Sequence, residues 1–322
     1  MDNLCHSLTG WALARAGLDR GELAATLLLV VASNFPDVDL VLGFLGPEVY
    51  ILWHRGLTHA LAGLLIFPPA LAYLAHALAP SLSFRRALLL AEVGIAFHIL
   101  LDIPTAWGTL ALYPWSHARL ALDWVFIIDP VLWALPLGGV LLSLRRKSGG
   151  RRVAGASLVL CALYVLLAGA IHGWARERAR EHLTSGPAAG RGQPAAIGDI
   201  EVYPQPLAPW RWLAVAWRGD SLEVMSLKGL PPRVTGSRSE PHGLGDPRVR
   251  AALMTEPGQA FLWWAGAPAC RLVSRAGEGT VVHLSDLRFV LRQVDPFEME
   301  IVLDERGDYV EAAWEGEQVF RR

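Results

Sequence analysis

The chain has 322 residues, 53% of them hydrophobic and only 18% charged, with 29 Lys and Arg against 30 Asp and Glu. A soluble domain carries about 25% charge, so this composition points to a membrane protein and excludes disorder, while near-neutrality without a basic stripe excludes nucleic-acid binding through phosphate neutralisation. Three scattered cysteines, Cys5, Cys161 and Cys270, exclude a disulfide scaffold and a thiolate zinc finger.

The apolar character is concentrated in the first half. Residues 22–35 are apolar but short, and 60–84 form a run of 25 without Asp, Glu, Lys or Arg. Residues 87–103 are interrupted by Glu92 and 124–144 by Asp129, and 153–175 form a second uncharged run of 23. About 20 apolar residues cross a bilayer as a helix, so about five apolar helices are expected in a multi-pass protein of the cell (inner or plasma) membrane. The block Arg145, Arg146, Lys147, Arg151 and Arg152 reads as a cytoplasmic loop. The N-terminus lacks a basic n-region, so no cleavable signal peptide is expected. Near residue 182 the texture changes: 184–197 are rich in Gly, Pro and Ala, and alternating stretches follow at 211–217, 280–286, 287–294 and 297–303. The expected architecture is an α-helical polytopic membrane domain at 1–182, a linker at 183–197 and a small β-rich soluble domain outside the membrane at 198–322. Its Trp210, Trp212, Trp217, Trp263 and Trp264 are expected to build that domain's core.

Ionisable residues beside membrane helices need a partner or a purpose, and here they fall at the ends of the apolar runs. HILLD at 98–102 sets His98 and Asp102 on one helix face, suiting two ligands of one metal or a mutual hydrogen bond. PDVD offers Asp37 and Asp39 as hard oxygen ligands or as helix caps. In HRGLTH, a turn at Gly56 lets His54 and His59 both point inward, Thr58 can cap the helix or orient a ligand, and Arg55 can clamp an anion or pair with Asp37 or Asp39. With His6, these imidazoles and carboxylates form a mixed N/O set suited to zinc, or to manganese or iron with more oxygens.

The order of Asp2 to His6, PDVD, HRGLTH and HILLD, followed by Thr105, Gly108 and a further Asp at 123 or 129, resembles the YdjM family of membrane-bound, metal-dependent hydrolases over roughly residues 1–175. The ligand order is also distantly similar to the zinc-dependent phospholipase C and single-strand nuclease superfamily. That likeness implies one metal on His59, His98, Asp102 and Asp37 or Asp39, with His6 and a shared Asp102 holding a second. It implies hydrolysis of a phosphoester, lipid-linked or not, by metal-activated water, with Asp37 or Asp39 as general base and Arg55 neutralising substrate charge. If Arg85, Arg86 and the 145–152 block are cytoplasmic, the site and the C-terminal domain lie on the non-cytoplasmic face. His6 then requires a helical hairpin turning near Gly17–Gly21, with Asp19, Arg20 and Glu22 at its exposed tip. The competing expectations are a non-catalytic membrane protein with a structural metal and a partner-recruiting β domain, and, last, a transporter.

Overall fold

The computed structural model describes residues 1–146, 148–185, 198–275, 279–290 and 297–314. They form two compact units, one of Met1–Val41, Trp53–Gly173 and Pro204–Trp210, the other of Leu42–Leu52, Trp174–Tyr203 and Arg211–Arg322.

The first unit is helical. Helix α1 (Asn3–Leu13) is capped by Asp2, whose carboxylate accepts from the N–H groups of Leu4 and Cys5 at 3.0 and 3.1 Å. It runs into a π-helical turn at Ala14–Leu18, where Gly17 adopts φ +116°, a conformation closed to most residues. Helix α2 (Leu23–Ala32) returns along α1, and the Asn34 amide donates to the Ser7 hydroxyl at 3.0 Å. The hairpin tip is less exposed than its polar sequence suggests. Asp19 is buried, accepting from the Gly21 N–H and the Thr26 hydroxyl, both at 2.9 Å.

A 3-10 segment (Phe35–Leu45) and α3 (Pro47–Trp53) follow, then a 3-10 turn (Leu57–His59), α4 (Leu61–Leu78), α5 (Phe84–Asp102), α6 (Pro130–Arg145) and α7 (Gly150–Ser185). Among the described residues, the five spanning helices expected from the sequence reduce to two long and apolar enough to cross a membrane, α4 and α7, or three if α2 and Phe35–Leu45, bent by 42°, count as one span. Length and charge explain the difference. Helix α6, with 16 residues, covers about 24 Å of a core roughly 30 Å thick, and α5 carries Arg85, Arg86, Glu92 and Asp102. Leu65, Tyr73 and Leu78 of α4 and Val159, Leu163 and Leu166 of α7 are exposed. Apolar faces of that extent need lipid or protein cover.

Helices α2, α4 and α5 share a core containing Leu28, Leu29, Leu71, Leu90 and Ile95. At its narrowest crossing a Cβ on Gly94 would stand 2.6 Å from the Ala32 Cβ and 3.0 Å from the Ser33 N, so glycine lets the α2 end meet α5.

Asp129 is consumed by structure. It accepts from the N–H groups of Val131 and Leu132 at 2.8 and 3.3 Å, capping α6, and from the Tyr164 hydroxyl at 2.6 Å. Asp129→Ala is expected to lower stability by about 1–2 kcal/mol, which thermal unfolding in detergent would show.

Residues 198–314 carry two four-stranded antiparallel sheets. The first has the order β1 (Ile200–Gln205), β2 (Ala208–Arg218), β3 (Ser221–Lys228), β4 (Arg233–Pro241). Helices α8 (Pro247–Leu253) and α9 (Glu256–Trp264) separate it in sequence from the second, β5 (Pro268–Arg275), β6 (Gly279–Asp286), β7 (Met299–Leu303), β8 (Tyr309–Trp314). Register pairs Trp212 with Leu227 and Val215 with Val224, all four buried.

The expected stretches 211–217 and 280–286 lie in β2 and β6, and 299–303 of the last form β7. Residues 287–289 instead form a turn, because the Asp286 carboxylate accepts from the Arg288 N–H at 3.0 Å and from its guanidinium at 2.6 Å; 291–296 lie outside the described residues. Trp264 is buried and stacks on Phe289, centroids 5.5 Å apart, and Trp212 is also buried. Trp217 is half-buried, while Trp210 and Trp263 are exposed, so only part of the tryptophan set serves the core. Of the expected linker, 183–185 end α7 and 186–197 lie outside the described residues.

Candidate metal centre

Three separate elements deliver the parts of a buried cluster. The 3-10 segment after α2 carries Asp37 and Asp39, the turn before α4 carries His59, and the last turn of α5 carries His98 and Asp102. His59, His98 and Asp102 are 0% exposed, and Asp37 is 7% exposed.

Four donor atoms converge. His59 Nε2 lies 3.0 Å from His98 Nε2, 3.4 Å from Asp37 Oδ1 and 3.2 Å from Asp102 Oδ2. His98 Nε2 lies 3.6 Å from Asp37 Oδ1 and 3.3 Å from Asp102 Oδ2. A divalent ion about 2.1 Å from each donor would set neighbouring donors roughly 3.0 Å apart at right angles and roughly 3.4 Å apart at tetrahedral angles. The observed separations match those edges, and the donor types suit a borderline or hard divalent ion.

The rings are oriented from behind. His98 Nδ1 is 2.8 Å from the Ser33 carbonyl, and His59 Nδ1 is 2.9 Å from the Thr58 hydroxyl and 3.2 Å from Asp39 Oδ2. Such outer partners set the tautomer that presents Nε2 to a metal. Asp39 is the hub of this layer: its oxygens accept from the Thr58 hydroxyl at 2.6 Å and the Arg55 N–H at 3.0 Å, and lie 2.8 Å from His54 Nδ1. Asp37, Asp39 and His54 also form a second group with donor atoms within 4.8 Å of one another. Burial works against a charged His59, but contacts with the carboxylates of Asp102, Asp37 and Asp39 outweigh it and push its pKa up to about 10. The same carboxylates that hold a proton on His59 would hold a cation.

Arg55 is buried with a left-handed backbone, φ +62°, uncommon outside glycine. Its guanidinium donates to the Thr105 hydroxyl at 2.7 Å and lies 3.2 Å from Asp102 Oδ1, while its Nε has no hydrogen-bond partner. The ion pair is therefore with Asp102 rather than with Asp37 or Asp39. The Met1 amino group also contacts Asp102.

His6 stacks on His98, centroids 3.6 Å apart, with Nε2 3.4 Å from Asp102 Oδ1. It is 0% exposed and neither ring nitrogen makes a hydrogen bond. Leaving two such atoms unpartnered is costly, so this ring, too, suits a cation. His117 is exposed and edges onto Tyr113, away from the cluster. The Ser33 carbonyl escapes any reading by residue type, since backbone carbonyls carry no sequence signal.

Asp39→Ala is expected to weaken metal binding about 10–100-fold without abolishing it, because it releases the orienters rather than a ligand of the four-donor cluster. Competition with a fluorescent chelator would measure this.

The chain matches the YdjM inner membrane protein family over residues 1–175. It is similar to the uncharacterized protein YfhP of Bacillus subtilis (strain 168), 29% identical over 180 residues that cover 52% of each chain, so it spans about half the length of that curated relative. No solved structure matches.

Proposed function

The chain belongs to the YdjM inner membrane protein family, and from that premise we propose that it is a membrane-bound, metal-dependent hydrolase of a phosphoester, with a lipid-linked substrate favoured. The observation that carries the reading is the convergence of His59, His98, Asp37 and Asp102 at metal-ligand spacing in a buried site. These four residues would hold one divalent ion, zinc in the first instance and manganese or iron as alternatives. His6, facing Asp102 Oδ1, would serve a second position that shares Asp102.

When bound, such an ion would supply Lewis-acid activation of water and of a phosphoryl oxygen. The remaining work falls to the chain's own groups. Asp39 is engaged by His54, Arg55, Thr58 and His59, so it positions the ligands, and the proton-accepting role would fall to the Asp37 oxygen left over once Oδ1 serves the ion. Arg55, fixed on Thr105 and Asp102, keeps its Nε for a phosphoryl oxygen. Leu57, Leu61, Leu112 and Trp115 are exposed on the segments around the cluster, a surface along which an acyl chain can lie. Arg85, Arg86 and the 145–152 block support a cytoplasmic position for the other end, and with it a cluster toward the non-cytoplasmic face of a multi-pass protein.

A second reading has one observation in its favour. Four protein donors in a fully buried site can complete a tetrahedral shell and leave no position for water, as in structural metal sites. The experiment is metal analysis of the purified chain with His98→Ala and Asp102→Ala, joined to phosphodiester hydrolysis and to water-proton relaxation of the manganese-loaded protein. Stoichiometric metal lost in both variants, hydrolysis and fast water exchange are expected. Metal without hydrolysis or exchange would favour the structural role, and no metal in the unmutated chain would overturn both.

A further inference from the structure

Arg85 opens α5 and Asp102 closes it, about 26 Å away along the axis. Around Arg85 the fold gathers other arginines from separate elements. Arg145 ends α6, Arg146 follows it, Arg151 and Arg152 lie in the first turn of α7, and Arg20 lies in the hairpin tip. The Arg151 side chain packs over Gly17, the Arg15 guanidinium donates to Ser143 at 3.1 Å, and Arg86 donates to Glu22 at 2.6 Å. These contacts join the tip and three helix ends into one surface. Arg20, Arg85, Arg145, Arg146, Arg151 and Arg152 are all exposed, and among the described residues none has a carboxylate partner within 4.0 Å. The acidic groups nearby are already engaged, Asp19 by Gly21 and Thr26, Glu22 by Arg86.

We propose that this end of the helical unit binds the phosphate headgroups of anionic phospholipids. Its position selects that partner over a soluble polyanion. Phe84 and Leu89 beside Arg85, and Leu141, Leu142 and Leu144 just before Arg145, are exposed apolar residues. A collar of that kind embeds in acyl chains, and guanidinium groups at its edge stand at headgroup depth. Each guanidinium fork matches a phosphate bidentately, and several on one surface favour lipids with net negative charge. The inference rests on the membrane placement and not on the metal cluster, so it survives failure of the hydrolase reading.

The test is native mass spectrometry of the full chain in detergent, titrated with phosphatidylglycerol or phosphatidylcholine, for the unmutated protein and for R145Q/R146Q/R151Q/R152Q. Phosphatidylglycerol is expected to bind in preference to phosphatidylcholine, and the quadruple variant to bind it about tenfold more weakly or less still. The corresponding Lys variant should recover most of the loss. Metal content and thermal unfolding, read on the same samples, should not change; if the quadruple variant unfolds, R20Q/R85Q supplies the comparison. Equal affinity for the two lipids, equal retention by folded Gln variants, or displacement of phosphatidylglycerol by a short oligonucleotide would overturn the proposal.

Discussion

Asp102→Ala is expected to strip the bound metal and to cost about 3–5 kcal/mol of stability. The metal loss follows from position: Oδ2 stands 3.2 Å from His59 Nε2 and 3.3 Å from His98 Nε2, so no other carboxylate oxygen can replace it without moving a helix. The stability loss follows from what stays behind. Arg55 is 2% exposed and its guanidinium faces Asp102 Oδ1 at 3.2 Å, so removing the carboxylate leaves a buried cation with the Thr105 hydroxyl as its remaining hydrogen-bond partner. Breaking a buried pair from one side costs several kcal/mol, of the size stated. Asp102→Asn separates the two effects. It keeps the volume, and it should still lose the metal. Metal analysis and chemical unfolding in detergent would check both variants, and metal retained at the unmutated stoichiometry in either would remove Asp102 from the ligand set.

Gly94→Val is expected to cost about 3 kcal/mol and to lower metal occupancy although residue 94 touches no ligand. Its Cβ would lie 2.6 Å from the Ala32 Cβ, and the clash is backed by backbone, since the Ser33 N is at 3.0 Å and the Ala32 carbonyl carbon at 3.1 Å. The end of α2 must therefore shift away from α5. Overpacking of that kind costs about 1–3 kcal/mol or more. The shift also carries the Ser33 carbonyl away from His98 Nδ1, now 2.8 Å distant, and so releases the imidazole. Gly138 provides the control, because nothing lies within 4 Å of a Cβ built there. Gly138→Ala in α6 should be neutral or gain up to about 1 kcal/mol. Unchanged metal occupancy in Gly94→Val would mean that the α2–α5 crossing does not set the His98 orientation.

Much of the buried His and Asp cluster is legible in the sequence. His98 and Asp102 are one helical turn apart, so local periodicity alone puts both on one face. Asp37 and His59 could be nominated because His and Asp beside apolar runs are costly unless used. The difference between Asp37 and Asp39 was not legible. They are two residues apart with identical chemistry, and only the fold turns one toward His98 and the other toward His54, Thr58 and the Arg55 N–H. The partner of Arg55 was hidden for the same reason, since its pairing with Asp102 spans 47 positions of sequence. The number of spans was overread because apolar composition does not report where a helix stops. Helix α2 ends after ten residues in order to start the segment that carries Asp37.

The sequence by itself determined the solvent, the division into an apolar helical part and a β-rich part, and the residue types at the centre, because hydropathy, period and charge are local properties. Only the tertiary structure decided which carboxylate joins the His59 and His98 Nε2 atoms and which sits behind the rings. It also decided which carbonyl steadies His98 and which arginines share one surface. Those assignments depend on how closely helices cross at Gly94 and on where turns place residues distant in the chain, and no local pattern records a distance between elements.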